Sequence, residues 1–123
     1  MSEMLHEKTK VFANEPHAIK AEVLLQKELP DFKGHFPVRA ILPGVVQLDL
    51  IQRLAEDKVG HRLRLSSISQ LKFLHPLMPE ELVQIAIHFD QNFEGYLVSF
   101  SLKALKKQEW VVVCQWKVRF INR

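Results

Sequence analysis

The sequence predicts one α+β domain in which an antiparallel sheet wraps a single long helix. Three observations carry this. Val45, Val46, Leu48, Leu50, Ile51, Leu54 and Ala55 make one apolar helical run, introduced by Pro43-Gly44 and stopped near Gly60. VQIAIHF, YLVSFSLKAL and WVVVCQWKVRF are three strand-length runs rich in β-branched and aromatic residues. The links between them, DQNFEG and KKQE, have hairpin length, so these strands form an antiparallel meander.

Taken in order, residues 1 to 10 are polar and charged and are expected to fray or lie on the surface. Ile19, Ala21, Val23 and Leu25 alternate with Ala18, Lys20, Glu22 and Leu24, the period of a half-buried strand over 18–25. The stretch from Leu29 to Pro43 carries Pro30, Pro37, Pro43 and Gly34, so it is read as a loop. Apolar residues on so many sides of the following helix predict burial on most sides, with Glu56, Asp57 and Lys58 marking its return to solvent. Arg62 to Leu74 reads as irregular chain entering a strand, ended by His75, Pro76 and Pro79. Trp110, Cys114 and Trp116 share parity and are expected on one strand face, with Cys114 a buried, inert thiol. His6, His17, His61 and His88 are scattered and expected to be solvated.

Composition narrows the function. The 123 residues suit a single domain spanning 1–123, and 47% hydrophobic with 25% charged residues excludes a disordered or fibrous chain. A formal charge of +3 is spread among acidic residues rather than gathered into an arm, so an acidic protein partner fits it at least as well as nucleic acid. One cysteine cannot form an internal disulfide, and no Cys/His spacing suggests a metal site. The first residues lack a signal-type apolar core, and no apolar run approaches the roughly 20 residues that span a bilayer, so a cytoplasmic protein without membrane insertion is expected.

Two ionisable residues stand out in GHFPVRAILPGVVQLDLIQRLAED, residues 34–57. His35 titrates near neutrality and suits a general base. Asp49 sits on the apolar helix, where burial raises a carboxyl pKa and leaves it able to donate a proton. A plainer reading stands beside this one: Arg53 lies four residues on, and an ordinary Asp–Arg helix pair accounts for Asp49, while His35 braces its loop.

GHFPVRAILPGVVQLD resembles the signature of the 3-hydroxyacyl-[acyl-carrier-protein] dehydratases, a Gly-His-Phe-Pro loop followed by Pro-Gly and, five residues after that glycine, Glu or Asp. The His35 to Asp49 separation, 49 − 35 = 14, matches the family's. LKFLHPLMPEELVQI resembles its second motif, and ILPGVVQLD looks most like the small dehydratases of aryl polyene clusters, with the likeness covering about residues 15 to 120. The resemblance implies the hot-dog fold. It implies that His35 removes the α-proton of a 3-hydroxyacyl thioester and that Asp49 protonates or orients the departing β-hydroxyl. The Gly44 N–H is then the oxyanion contact, and Phe36, Leu42, Val45 and Val46 are candidates to line the acyl tunnel or to be plain core. A homodimer or higher homo-oligomer is implied, with His and carboxylate from opposite subunits, acting on acyl carrier protein without metal or organic cofactor. Arg39, Arg62, Arg64, Lys103, Lys106 and Lys107 are candidates to meet that acidic partner, or simply a solvated basic face.

Val38 and Ala40 replace the family's usual glycine and proline, and Glu80-Glu81 its Gly-Asp, which puts the geometry of both loops in question. Asp in place of Glu is shared with the branch that also isomerises its product. An acyl-thioesterase using Asp49 but not His35, and a non-catalytic acyl-binding subunit, are the alternatives to the dehydratase.

Overall fold

The computed structural model describes residues 3–32, 42–92 and 95–123. A short helix α1 (Glu3–Lys8) leads into strands β1 (Lys10–Glu15) and β2 (Ala18–Leu24), and a single 3₁₀ turn follows at Pro30–Phe32. The long helix α2 (Gly44–Val59) then precedes four strands, β3 (Leu63–Phe73), β4 (Leu82–Asn92), β5 (Gly95–Lys106) and β6 (Glu109–Asn122). All six strands form one antiparallel sheet in the order β1-β2-β4-β5-β6-β3. β2 and β3 therefore lie towards opposite edges, and α2 makes the crossing between them.

Alternation sets which side of the sheet is covered. Ile19, Ala21 and Val23 of β2, Val83, Ile85 and Ile87 of β4, and Val98, Phe100 and Leu102 of β5 are all buried and meet one side of α2. Val46, Leu50, Ile51, Leu54 and Ala55 supply that side of the helix. The helix begins after Pro43, whose fixed φ of −63° suits the position, and ends at Gly60, whose φ of +84° lets its N–H cap the Glu56 carbonyl.

Several details depart from the sequence expectation. Residues 3–10 lie on the surface, one of the two expectations for this segment, but are anchored there, because Leu5 is fully buried and His6 Nε2 lies 2.7 Å from Asp57 Oδ2 on α2. β1 is a strand the sequence did not show: it had no readable alternation because a bulge between Val11 and Ala13 disrupts its register with β2. A second bulge, between Leu102 and Lys103, pairs Leu102 with Cys114 but Lys103 with Val112, leaving Val113 extra. Parity flips there. Cys114 and Trp116 point inward, whereas Trp110 emerges on the other face, 41% exposed. α2 is buried or half-buried on most sides, as expected, with Val45 at its start 58% exposed.

Candidate active site

The start of α2 is fixed from several directions. Leu42 is buried and donates its N–H to the Leu77 carbonyl at 2.8 Å. The Pro43 carbonyl accepts the N–H groups of Val46 (3.1 Å) and Gln47 (3.2 Å). Gly44 and Val45 thus occupy the first two helical positions, whose amides have no acceptor within a helix and sit at its positive end. Phe73, at the end of β3, lies against Gly44 so closely that a β-carbon there would stand 2.7 Å from its ring. Phe73 meets Trp116 edge-on at 5.5 Å, and Trp116 stacks on Phe100 at 5.4 Å. Only Gly at residue 44 leaves room for this aromatic column as it stands.

Asp49 is one turn further along α2. Residues four apart share a helix side, so Val45, Asp49 and Arg53 run along a face turned away from the sheet core. The Asp49 carboxylate accepts a hydrogen bond from Arg53 Nε at 3.0 Å, and its side chain is 30% exposed. That hydrogen bond, outweighing the opposing effect of burial, raises the Arg53 pKa further. The Asp–Arg pair anticipated from spacing is present, and apolar burial of the carboxylate is not. Asp49 and Arg53 instead border a polar recess of about 360 Å³ that Gln52, Glu56, Arg62 and Arg123 also line. A larger cleft of about 480 Å³ lies on the sheet's other face among Lys20, Ala86, Ser101 and Lys117, and no carboxylate lines it.

Gly44, Val45 and Asp49 are thus brought to the open side of the α2 N-terminal half, while Leu42 and Val46 are core side chains, each 3% exposed. His35 and Phe36, like Val38, Arg39 and Ala40, lie outside the described residues. Sequence reasoning passed over Gln47, the one buried polar side chain among the described residues, although a lone amide on the core side of an apolar helix was a readable signal. It also gave no role to Phe73, visible as the aromatic of the second motif.

Residues 10–117 match the family profile described as ApeI-like, ApeI dehydratase. The chain belongs to this ApeI-like family. A solved structure of the dehydratase heterocomplex ApeI:P from Xenorhabdus doucetiae superposes on the ApeI-like chain with a TM-score of 0.77 at 27% identity, covering 94% of this chain and 99% of that one. The 3-hydroxyacyl-[acyl-carrier-protein] dehydratase FabZ of Novosphingobium aromaticivorans is 32% identical over 98 residues, 72% of this chain and 60% of its own length. FabZ of Geobacter metallireducens is 26% identical, covering 76% of this chain and 68% of its own. The ApeI-like chain therefore spans between about half and about three quarters of the curated relatives it matches, 53% of one from Agrobacterium fabrum and 72% of one from Roseiflexus castenholzii. Mouse thioesterase superfamily member 2, at 12% identity and a TM-score of 0.72, shares the fold alone. That fold is the hot-dog fold, as the motif resemblance implied.

Proposed function

We propose that this chain dehydrates 3-hydroxyacyl thioesters on acyl carrier protein to trans-2-enoyl thioesters, in the cytoplasm, during synthesis of fatty acids or polyketide-like aryl polyene chains. The match over residues 10–117 carries this reading, and the placement of Gly44 and Asp49 on the uncovered side of α2 supports it. His35 takes the α-proton. The electrons move towards the thioester carbonyl, whose growing negative charge is met by the Gly44 N–H at the positive helix end. The Cα–Cβ double bond then forms as the β-hydroxyl leaves as water, protonated or oriented by Asp49. No redox change occurs, so no cofactor is called for.

The active unit we propose is a homodimer with His35 and Asp49 drawn from opposite subunits. Its support is the apolar surface left open on one chain: Val45 (58% exposed), Phe73 (54%), Leu74 (54%), Ile68 (44%) and Leu71 (41%) gather at the start of α2 and along β3. β3 is also a sheet edge of 11 residues, whose outward backbone groups need another strand or water. Exposed Arg62, Arg64, Lys103 and Lys107 remain for an acidic carrier protein, whereas Lys106 is taken up by Glu81 and the Pro76 carbonyl.

The test follows enoyl-thioester absorbance with carrier-bound 3-hydroxyacyl and trans-2-enoyl substrates. Wild type is expected to interconvert them, and His35→Ala to lose about 10²–10⁴-fold in rate while staying folded. Release of free thiol without interconversion would replace the dehydratase by a thioesterase; inactivity in both assays would leave an acyl-binding subunit.

A further inference from the structure

Gln47 is 4% exposed, on a helix where an apolar side chain of the same size buries at no polar cost. Its two amide atoms are both used: Nε2 donates to the Leu42 carbonyl at 3.1 Å, and Oε1 accepts from Cys114 Sγ at 3.3 Å on β6. Its backbone N–H meanwhile donates to the Pro43 carbonyl at 3.2 Å. One residue therefore holds two successive carbonyls of the chain entering α2, the first by its side chain and the second by its main chain.

This has a consequence for Gly44. A trans peptide sets its N–H opposite its C=O. With the Pro43 carbonyl turned into the helix by Val46 and Gln47, the Gly44 N–H of the same peptide points out of the helix start. The orientation of that plane depends on the plane before it, since Pro43 has a fixed φ and the Leu42 carbonyl is what its ring nitrogen is bonded to. We infer that Gln47 is a positioning residue for the oxyanion contact: its side-chain amide, braced by Cys114, locks the Leu42–Pro43 peptide and so aims the Gly44 N–H at the thioester carbonyl. The inference rests on the dehydratase reading above. An apolar residue at the same place keeps the core filled but leaves the Leu42 carbonyl unpaired and free to turn.

The experiment compares wild type with Gln47→Met, which keeps length and removes both polar atoms, and Gln47→Leu, which removes them with a shorter side chain. Displacing a preorganised donor by about 1 Å costs up to about 100-fold, so kcat is expected to fall about 10–100-fold with KM within about twofold of wild type. The carbonyl stretch of bound trans-2-enoyl thioester, followed by difference infrared spectroscopy, is expected to move back towards its solution frequency, while each variant melts several degrees lower for its unpaired Leu42 carbonyl and stays folded at the assay temperature. Unchanged kcat and carbonyl stretch in an active protein would overturn the role of Gln47 alone. Parallel loss of melting temperature and KM with an unmoved carbonyl band would make Gln47 a packing residue and overturn it equally. A wild type that leaves the thioesters untouched overturns the dehydratase reading and the Gln47 role together.

Discussion

Asp49→Asn separates the two readings of the carboxylate. The Asp49–Arg53 pair spans one helix turn at 3.0 Å with both side chains about 30% exposed, so solvent screens it heavily. Such pairs contribute about 0.3–0.5 kcal/mol, and for a domain of this size their loss lowers the melting temperature by about 2 °C. A group that protonates or orients the leaving hydroxyl contributes about 10²–10⁴-fold in rate, or about 2.7–5.4 kcal/mol at 1.36 kcal/mol per decade. The catalytic term is thus several times the structural one. Enoyl-thioester formation and thermal melts on the same samples are expected to show at least a hundredfold drop in kcat with a barely moved melting temperature. Arg53→Gln, which removes the same pair but leaves the carboxylate, is expected to match it in stability and to retain far more activity. An Asn variant within about threefold of wild type would refute the catalytic reading and leave Asp49 as the helix partner of Arg53.

Two further outcomes follow from the structure. Phe73→Ala removes a ring that is half exposed on the single chain, and for a central aromatic of the proposed homodimer interface a loss of about 2 kcal/mol raises the dissociation constant about thirtyfold, measured by sedimentation; an unchanged dissociation constant, or a monomeric wild type, would refute that interface. Burial raises the Cys114 thiol from its ordinary 9.0 to about 11, so the folded state holds its proton where the unfolded chain has begun to lose it. The stability this gives is fully present below about pH 9 and is lost as pH rises towards about 11, a decline of about 2–3 kcal/mol in denaturant melts that Cys114→Val is expected to flatten.

What the sequence shows of the fold follows how regularly each strand alternates. β2 and β4 bury every second residue without interruption, and β2 was legible to within a residue of its end. β1 and β3 were faint for a physical reason: β1 carries a bulge and β3 two register shifts, so neither keeps the period of two for long. β3 is misleading as well, because its apolar residues Ile68, Leu71 and Phe73 pair with the buried Val118, Trp116 and Cys114 of β6 and so share the core face, yet stay 44%, 41% and 54% exposed on the single chain. Trp110 illustrates the same limit, since parity counting holds only until Val113 inserts the extra residue.

Turn chemistry was legible in one direction only. Glu80 stands where the resembled motif has glycine, and the substitution suggested a changed turn. Glu80 nevertheless adopts a left-handed φ of +69°, a conformation glycine takes freely. The strain is offset locally, by the Lys27 N–H donating to Glu80 Oε1 at 3.1 Å and the Met78 N–H to Glu81 Oε1 at 2.7 Å. The two carboxylates thus anchor the backbone that glycine would merely have permitted to bend.

The candidate site divides the same way. Pro43-Gly44 and the five-residue step to Asp49 are properties of one continuous helix, and spacing along a helix converts directly into direction. The support of that helix start comes instead from far along the chain: Leu77 holds the Leu42 N–H, Cys114 holds Gln47, and Phe73 covers Gly44. Each contact spans some thirty to seventy residues and is created by sheet order, which no local pattern encodes. Gln47 shows how such a contact leaves a trace. A buried amide is costly wherever its hydrogen bonds are unmade, so an isolated glutamine among valines and leucines on a core-facing helix side marks a backbone group held from a distance. In this chain that group is the Leu42 carbonyl, two residues ahead of Gly44, the proposed oxyanion contact.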